Sequence, residues 1–374
     1  MIIGITLLQT FIIAGVMSIA RQGLLTGLIA AIAFGVSAPL ISTLTSTGSP
    51  LSLAGLLYAG SSLALLIAKL VRGKRNQESS VKRQDLGMLL LLTVIGGIAA
   101  PISLVSGLAL LPAGSASLLL NLETIFTMGI AVLVGREHLS SKGIAAAVFI
   151  LAGAVIIGGQ ATSGATLHGA ILIALACLGW GVDNNISQRL SIRDPMQIAL
   201  LKSMGACVPM LLIANFTGAR FPAPMEIVII LLIGGVGYGL SIWLDLLALR
   251  ELGAAREAVI FATAPFVGAG FSVIYLKEAL NTNLIASGVL MIAGVGLMLK
   301  EDHAHKHRHD EVWHEHKHLH SSSELDLHHI HEHPNGEENG FESDRSFWHS
   351  HPHQHKPMSH SHSHVSDGHH RHRH

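Results

Sequence analysis

Ten hydrophobic blocks run from Leu24 to Leu299, and the last two blocks of one half can be laid over the last two of the other. Asn121-Leu-Glu-Thr-Ile-Phe-Thr-Met-Gly through Gly135-Arg-Glu137-His-Leu139 aligns with Ala262-Thr-Ala-Pro-Phe-Val-Gly through Leu276-Lys-Glu278-Ala-Leu280. The offset is a constant 141 residues and also carries Gly153 onto Gly294. The unit is therefore duplicated. Each copy holds five blocks, an odd number, so the second copy must cross a bilayer in the opposite sense to the first.

Blocks of this kind need lipid as solvent. Half of the residues are apolar and only 13% are charged in a chain of 374 residues, an average that one buried helical hairpin cannot produce. The blocks lie at 24–44, 51–70, 86–108, 113–134, 143–159, 168–187, 196–216, 226–248, 255–276 and 283–299, each near the length that crosses about 30 Å of hydrocarbon. The expected fold is an all-α integral membrane protein of ten transmembrane helices in two inverted five-helix repeats. The first repeat covers 22–160 and the second 161–299, followed by a tail at 300–374. Cys177 and Cys207 both fall inside apolar blocks, so they offer neither a disulfide framework nor a zinc-ribbon spacing.

Basic residues alternate between the connections. Lys69, Arg72, Lys74, Arg75, Lys82 and Arg83 cluster between the second and third blocks. Arg136 and Lys142, then Arg189 and Arg193, then Arg250 and Arg256 mark every second connection after that. The intervening connections carry only Arg220 and Lys277. The positive-inside rule makes Arg21, the basic loops and the tail cytoplasmic, in a multi-pass protein of the inner (plasma) membrane. Residues 1–21 form an apolar leader without a basic n-region. It reads either as an extra helix or as sequence ahead of a true start at Met17.

Polar groups inside the blocks carry the functional information, because hydrocarbon makes them costly. Glu123 lies mid-block, two residues after Asn121. Desolvation there favours the protonated form, which suits a carboxyl that takes up and releases a proton during transport. The bland alternative is a permanently neutral Glu bonded to a neighbouring helix. Trp180-Gly-Val-Asp183-Asn184-Asn185 in the sixth block and Lys202 in the seventh lie at similar depth on adjacent antiparallel helices, which predicts an Asp183–Lys202 ion pair. Such a pair serves orientation or lines a solute path. Asp245 and Glu257 flank the last cytoplasmic connection, and Glu137 and Glu278 read as caps or loop partners. Pro39, Pro101, Pro209 and Pro265 interrupt blocks, and Pro265 aligns with Thr124, one position beyond Glu123. Gly235 and Gly239 form a small-xxx-small pair for close helix packing.

The five-plus-five layout, the Gly-x-Glu-x-Leu at Gly135–Leu139 and the Leu-Gly-Ala-Ala-Arg…Ala-Pro-Phe run at Leu252–Phe266 resemble the EamA-type transporters of the drug/metabolite transporter superfamily. Trp180-Gly-Val-Asp-Asn-Asn followed by Asp194-Pro195 is similar to one bacterial branch. The resemblance covers about residues 22–299 and implies alternating-access transport, often export, of a small metabolite, amino acid or drug. It says little about which solute. Asp245 and Glu257 stand where the family pattern leads one to expect neutral residues, so no solute charge is carried over. The transport residues expected are thus Glu123, Asn121, Asp183, Asn184, Lys202, Trp180 and Pro265. A proton or other coupling ion is implied and a homodimer is left open. Nothing points to a nucleic-acid partner, to an enzyme or to a required cofactor.

The tail follows different physics. It holds 23 of the 25 histidines and almost no aliphatic side chains, so disorder is expected. The His-x-His spacing repeats through His303, His305, His307 and His309, then through His314, His316, His318 and His320. It returns through His349, His351, His353 and His355, and through His360, His362 and His364. Imidazoles so placed can wrap nickel, zinc, cobalt or copper. The bland alternative is a solvated appendage that charges near about pH 6.5. His314-Glu-His-Lys-His318 matches the zinc-protease motif formally, a chance match in a tail this rich in histidine. A second functional reading follows, a divalent-metal exporter or sensor whose tail captures cytosolic cation. The blocks answer it poorly, offering Asn121, Glu123 and Met128 at mid-depth, with His168 only at an outer edge.

Overall fold

The structure is a computed structural model that describes residues 19–72, 80–134, 141–159, 164–190, 193–252, 260–298, 303–309, 312–320, 347–355 and 358–364. The leader before residue 19 lies outside these ranges, as do Glu137, Arg256 and Glu257. The membrane part is helical: α1 Ile19–Ser42, α2 Pro50–Arg72 and α3 Arg83–Leu108, then α4 Ala113–Leu119, α5 Leu122–Leu133 and α6 Ser141–Gly159. The second half holds α7 Gly164–Leu190, α8 Pro195–Phe216 and α9, which runs from Pro224–Gly234 through Gly235–Leu240 to Ser241–Leu252. It ends with α10 Ala264–Ile274 and α11 Thr282–Met298. Eight helical stretches are long and apolar enough to cross a membrane, with α4 and α5 counted together. The described parts of α10 and α11 are apolar but shorter.

The duplication read from the sequence recurs in backbone irregularities. The third helix of each half is wound as a π-helix over one stretch, Thr93–Ala99 in α3 and Gly235–Leu240 in α9. The fourth is broken, between α4 and α5 at Leu120–Asn121 and before α10 at Ala262–Thr263. The 141-residue offset superposes each pair to within about a residue. The fourth block is therefore two half-helices rather than one continuous span. Pro265 does not interrupt a helix either. It sits in the first turn of α10, where a missing N–H costs nothing.

The halves pack chiefly on each other. α2 lies against α8 and α9, α6 against α11, α1 against α9 and α10, and α7 against α3 and α5. Glycines allow the close crossings. A Cβ on Gly60 would strike the Leu231 carbonyl, and one on Gly234 would strike the Leu57 carbonyl, so α2 and α9 meet backbone to backbone. Gly235 and Gly239 face the same helix at Gly60, Ser61 and Ala64. In a second reciprocal pair, Gly35 of α1 abuts Ala264 of α10, and Gly181 of α7 abuts Phe126 and Thr127 of α5.

Contacts at the two ends tie the halves in register. At one end the Arg193 side chain donates to both oxygens of buried Asp85, at 2.8 and 3.3 Å. Asp85 also accepts from the Lys82 backbone. At the other end Ser52 Oγ donates to the Arg220 carbonyl, and the Glu278 carboxylate accepts from the backbone N–H groups of Ala113 and Gly114 at 2.6 and 2.7 Å. Glu278 thus caps α4, satisfying N–H groups that a helix start leaves without partners.

The tail is not irregular throughout. β1 His303–His309 pairs antiparallel with β4 Met358–His364, and β2 Val312–His320 with β3 Phe347–His355. Disorder was expected because so few aliphatic residues are available for a core. Backbone ladder bonds do not depend on apolar side chains, and the period-2 histidine pattern suits a strand.

Candidate functional site

Glu123 stands in the first turn of α5, just past the break. The sequence there favours a break, since Leu118-Leu-Leu-Asn121 ends on a side chain that competes for backbone bonds. The Asn121 amide donates to the Leu118 carbonyl at 3.1 Å and touches Met291 Sδ at 3.7 Å, while its Oδ1 is buried without a hydrogen-bond partner. Glu123 is partly buried. Its Oε1 accepts from Asn184 Nδ2 of α7 at 2.9 Å, and the same amide reaches Thr127 Oγ1 at 3.3 Å. Asn185 donates to the Thr127 and Gly181 carbonyls at 3.1 and 2.8 Å. The contact at Gly181 brings α7 and α5 close enough for these bonds. Since α5 belongs to the first repeat and α7 to the second, the carboxyl sits on the seam between them.

At the residue before Asn184, Asp183 Oδ2 lies 2.5 Å from Lys202 Nζ of α8, with both side chains buried. Asp183 Oδ1 is buried without a hydrogen-bond partner and packs on Gly96, where a Cβ would collide with the carboxylate. The Gly96 carbonyl lies in the π stretch of α3 and accepts both Tyr58 Oη and Trp180 Nε1 at 3.1 Å. A π-turn disturbs the regular ladder, and the third helix uses that freedom to anchor side chains of α2 and α7. Around this anchor Phe34 meets Trp180, Tyr238 and Phe261 at centroid distances of 5.9, 5.9 and 5.2 Å, and Tyr58 meets Tyr238 at 5.6 Å. Tyr238 belongs to the second π stretch, and its hydroxyl is buried without a hydrogen-bond partner.

The charged groups therefore gather on one locus. Asp183, Asp245 and Lys202 all lie within electrostatic reach of Glu123. Asp245 is partly buried, so its field reaches further inward than its sequence position beside a connection suggests. Lys202 is engaged by Asp183, and Glu123 is held by the neutral amide of Asn184. A carboxyl in such a setting can change protonation without breaking an ion pair. Of the residues singled out in the sequence, Asn121, Glu123, Trp180, Asp183, Asn184 and Lys202 converge on this region. Pro265 starts the corresponding half-helix of the other repeat.

Sequence reasoning passed over Tyr58, Gly96, Thr127, Tyr238 and Asp85. The π stretches leave no compositional mark beyond Gly96-Gly97 and the glycines around Tyr238. Asp85 adjoins Lys82 and Arg83 in the sequence, and no spacing there points across the chain to Arg193. Among the residues whose side chains are described, no three His, Cys, Asp or Glu groups cluster closely enough to hold a metal ion. The side chains of the tail histidines lie outside that description.

Residues 21–159 and 167–300 each match the EamA-like transporter family. An "Uncharacterized transporter" of Methanothermobacter thermautotrophicus is 28% identical over 293 residues, covering 74% of this chain and 85% of that protein. A "Probable amino-acid metabolite efflux pump" of Salmonella typhimurium is 26% identical over 203 residues, covering 50% of this chain and 67% of that protein. A solved crystal structure shares the fold with a TM-score of 0.58 at 18% identity, covering 74% of this chain and 98% of the other.

Proposed function

We propose that this chain, which belongs to the EamA-like transporter family, exports a small metabolite, amino acid or drug by alternating access, with Glu123 exchanging a proton for solute. The observation that supports this most directly is the place of Glu123. It lies on the seam between inverted repeats, at the start of a half-helix, with its carboxylate accepting from the Asn184 amide. Broken helices at the repeat interface are where carriers of this architecture expose free backbone groups and helix ends to solute. The name of the Salmonella relative favours metabolite efflux as the direction and amino-acid derivatives as the first solutes to try. The Asp183–Lys202 pair, held on the Gly96 anchor, acts as the fixed wall of the site. The protein lies in the plasma membrane with the tail in the cytoplasm, where the tail serves as an accessory metal buffer.

The test compares cells expressing the parent protein, Glu123→Gln or no protein, reading solutes accumulated in the medium and their dependence on external pH. Glu123→Gln should reach the membrane at parental levels while losing export and its pH dependence. Unchanged export with an unchanged pH profile would remove Glu123 from the mechanism. A parallel chain ending at Lys300 separates transport from metal handling. It should insert and export its organic solute at near-parental rate, since both repeats are complete without the tail. If it instead loses export of a metal, leaving cells sensitive to that metal, the metal-exporter reading replaces this one.

A further inference from the structure

The acids around Glu123 outnumber the bases, and the helices that carry them leave them within reach of a solute. Every residue of α5 from 123 to 132 is half-buried, and so is every residue of α9 from 242 to 247. A helix with one face in a packed core alternates buried and exposed residues at its own period, so uniform half-burial marks accessible surface on the inner side as well. α5 packs chiefly on α7, and the Ser241–Leu252 part of α9 chiefly on α1. A cleft therefore separates α5 and α7 from α9. Asn184 is exposed to it even while it donates to Glu123 Oε1. These helix halves lead toward Arg136, Arg189 and Arg250, all in basic connections, which the positive-inside rule places in the cytoplasm. Toward the other end α4 packs on α10 and α1.

The charges at the head of this cleft do not balance. Asp183, Asp245 and Lys202 stand within electrostatic reach of Glu123, which makes three carboxyl groups against one ammonium. Lys202 is already bound to Asp183. Two further atoms at the locus, Asp183 Oδ1 and the Tyr238 hydroxyl, are buried without a hydrogen-bond partner. A carboxylate oxygen only accepts, so what completes Asp183 is a donor. The rings of Phe34, Trp180, Tyr238 and Phe261 cluster beside these atoms, and aromatic faces attract a cation as well as an apolar body. An anionic solute would meet like charge here, which is how a site rejects the wrong partner.

We infer that the solute of this site is an organic cation, a primary amine with an apolar body, and that Asp245 selects it by charge from the α9 wall of the cleft. This rests on the reading of the Glu123 locus as the solute site and gives that site a substrate class. Glu123 on one wall and Asp245 on the other then share the ammonium. Proton and amine compete for Glu123, so the carboxyl gives up its proton to water as the amine binds.

The experiment uses the full-length protein in detergent and three probes of one shape, phenethylamine, uncharged 2-phenylethanol and anionic 3-phenylpropionate, with binding read by calorimetry. The parent protein should bind the amine at least about tenfold more tightly than either counterpart. Asp245→Asn should erase that preference by weakening the amine alone, and Asp245→Glu should restore much of it, which separates lost charge from lost fold. Equal or tighter binding of the alcohol or the anion, no binding of the amine, or an unchanged preference in Asp245→Asn overturns the inference. The same proteins are then assayed for solute export in cells. Export that depends on Glu123, in a protein that prefers the anion, leaves the transport reading standing and removes the cation. Selective amine binding by a protein that exports nothing does the reverse.

Discussion

At the scale of single residues, the site divides into a fixed charge pair and a free carboxyl. Asp183 and Lys202 are both buried, and their attraction offsets a desolvation cost that neither could bear alone. Removing one partner leaves the other charged in a dry environment, at a cost of about 3–5 kcal/mol, whereas replacing both is often near neutral. Asp183→Asn should accordingly lower the yield of folded, membrane-inserted protein sharply. Adding Lys202→Met to it should recover most of that yield, as read by fluorescence-detected size exclusion in detergent. If the double variant folds no better than Asp183→Asn, the pair is not what the buried lysine needs. This pair was legible in the sequence because depth can be counted along two antiparallel helices. The Glu123–Asn184 bond was not, since it depends on Gly181 letting α7 approach α5, and a glycine in the sequence does not announce which helix it faces. Tyr58 and Tyr238 were illegible for a related reason: as aromatic residues in apolar blocks they read as packing, and only the π stretches give them a carbonyl or a partner ring to address.

At the scale of elements, the repeat could be read from the aligned blocks, but the way each helix departs from regularity could not. The break at Leu120–Asn121 falls in a run that hydropathy treats as one span. It becomes intelligible once the backbone is traced, because α4 acquires its own N-terminal cap from Glu278, so the half-helix is anchored separately from α5. A carboxylate on two backbone N–H groups makes charge-assisted bonds, and losing them costs about 1–3 kcal/mol once water fills in. Glu278→Ala should therefore lower the thermal midpoint of the purified protein, and Glu278→Gln should lower it less, because one amide oxygen still accepts. The same substitution should raise the reactivity of an Ala113→Cys thiol toward a membrane-impermeant maleimide added from outside. Equal stability of all three proteins, with unchanged labelling, would show that the cap does not hold this end of α4. Glu137, the counterpart of Glu278 in the sequence repeat, lies outside the described residues.

At the scale of the whole molecule, the sequence alternation of basic connections and the structural contacts between connections make independent statements about sidedness. The Asp85–Arg193 pair joins the start of α3, next to the basic connection before it, to the basic connection before α8. Ser49 and Ser52 meet Arg220, and Glu278 meets Ala113, so those contacts join connections that all belong to the sparsely charged set. No contact named here mixes the two sets. An even number of spans in the first repeat, or a missing span near α10, would force such mixing, because every later connection would change sides. The described helices show eight membrane-length stretches with two shorter ones, so the ten-span arrangement stays an expectation that fusion reporters can test. With basic connections held inside, reporter domains fused after Lys82 and after Lys300 should both report the cytoplasm, and one fused after Thr47 should report the exterior. Alkaline phosphatase and green fluorescent protein fusions read the two outcomes with opposite signs, so an inactive fusion cannot pass for an answer. If the Lys82 and Lys300 fusions report opposite sides, an odd number of spans separates them. The tail would then lie outside the cell, and neither cytosolic metal buffering nor the ten-span arrangement would stand.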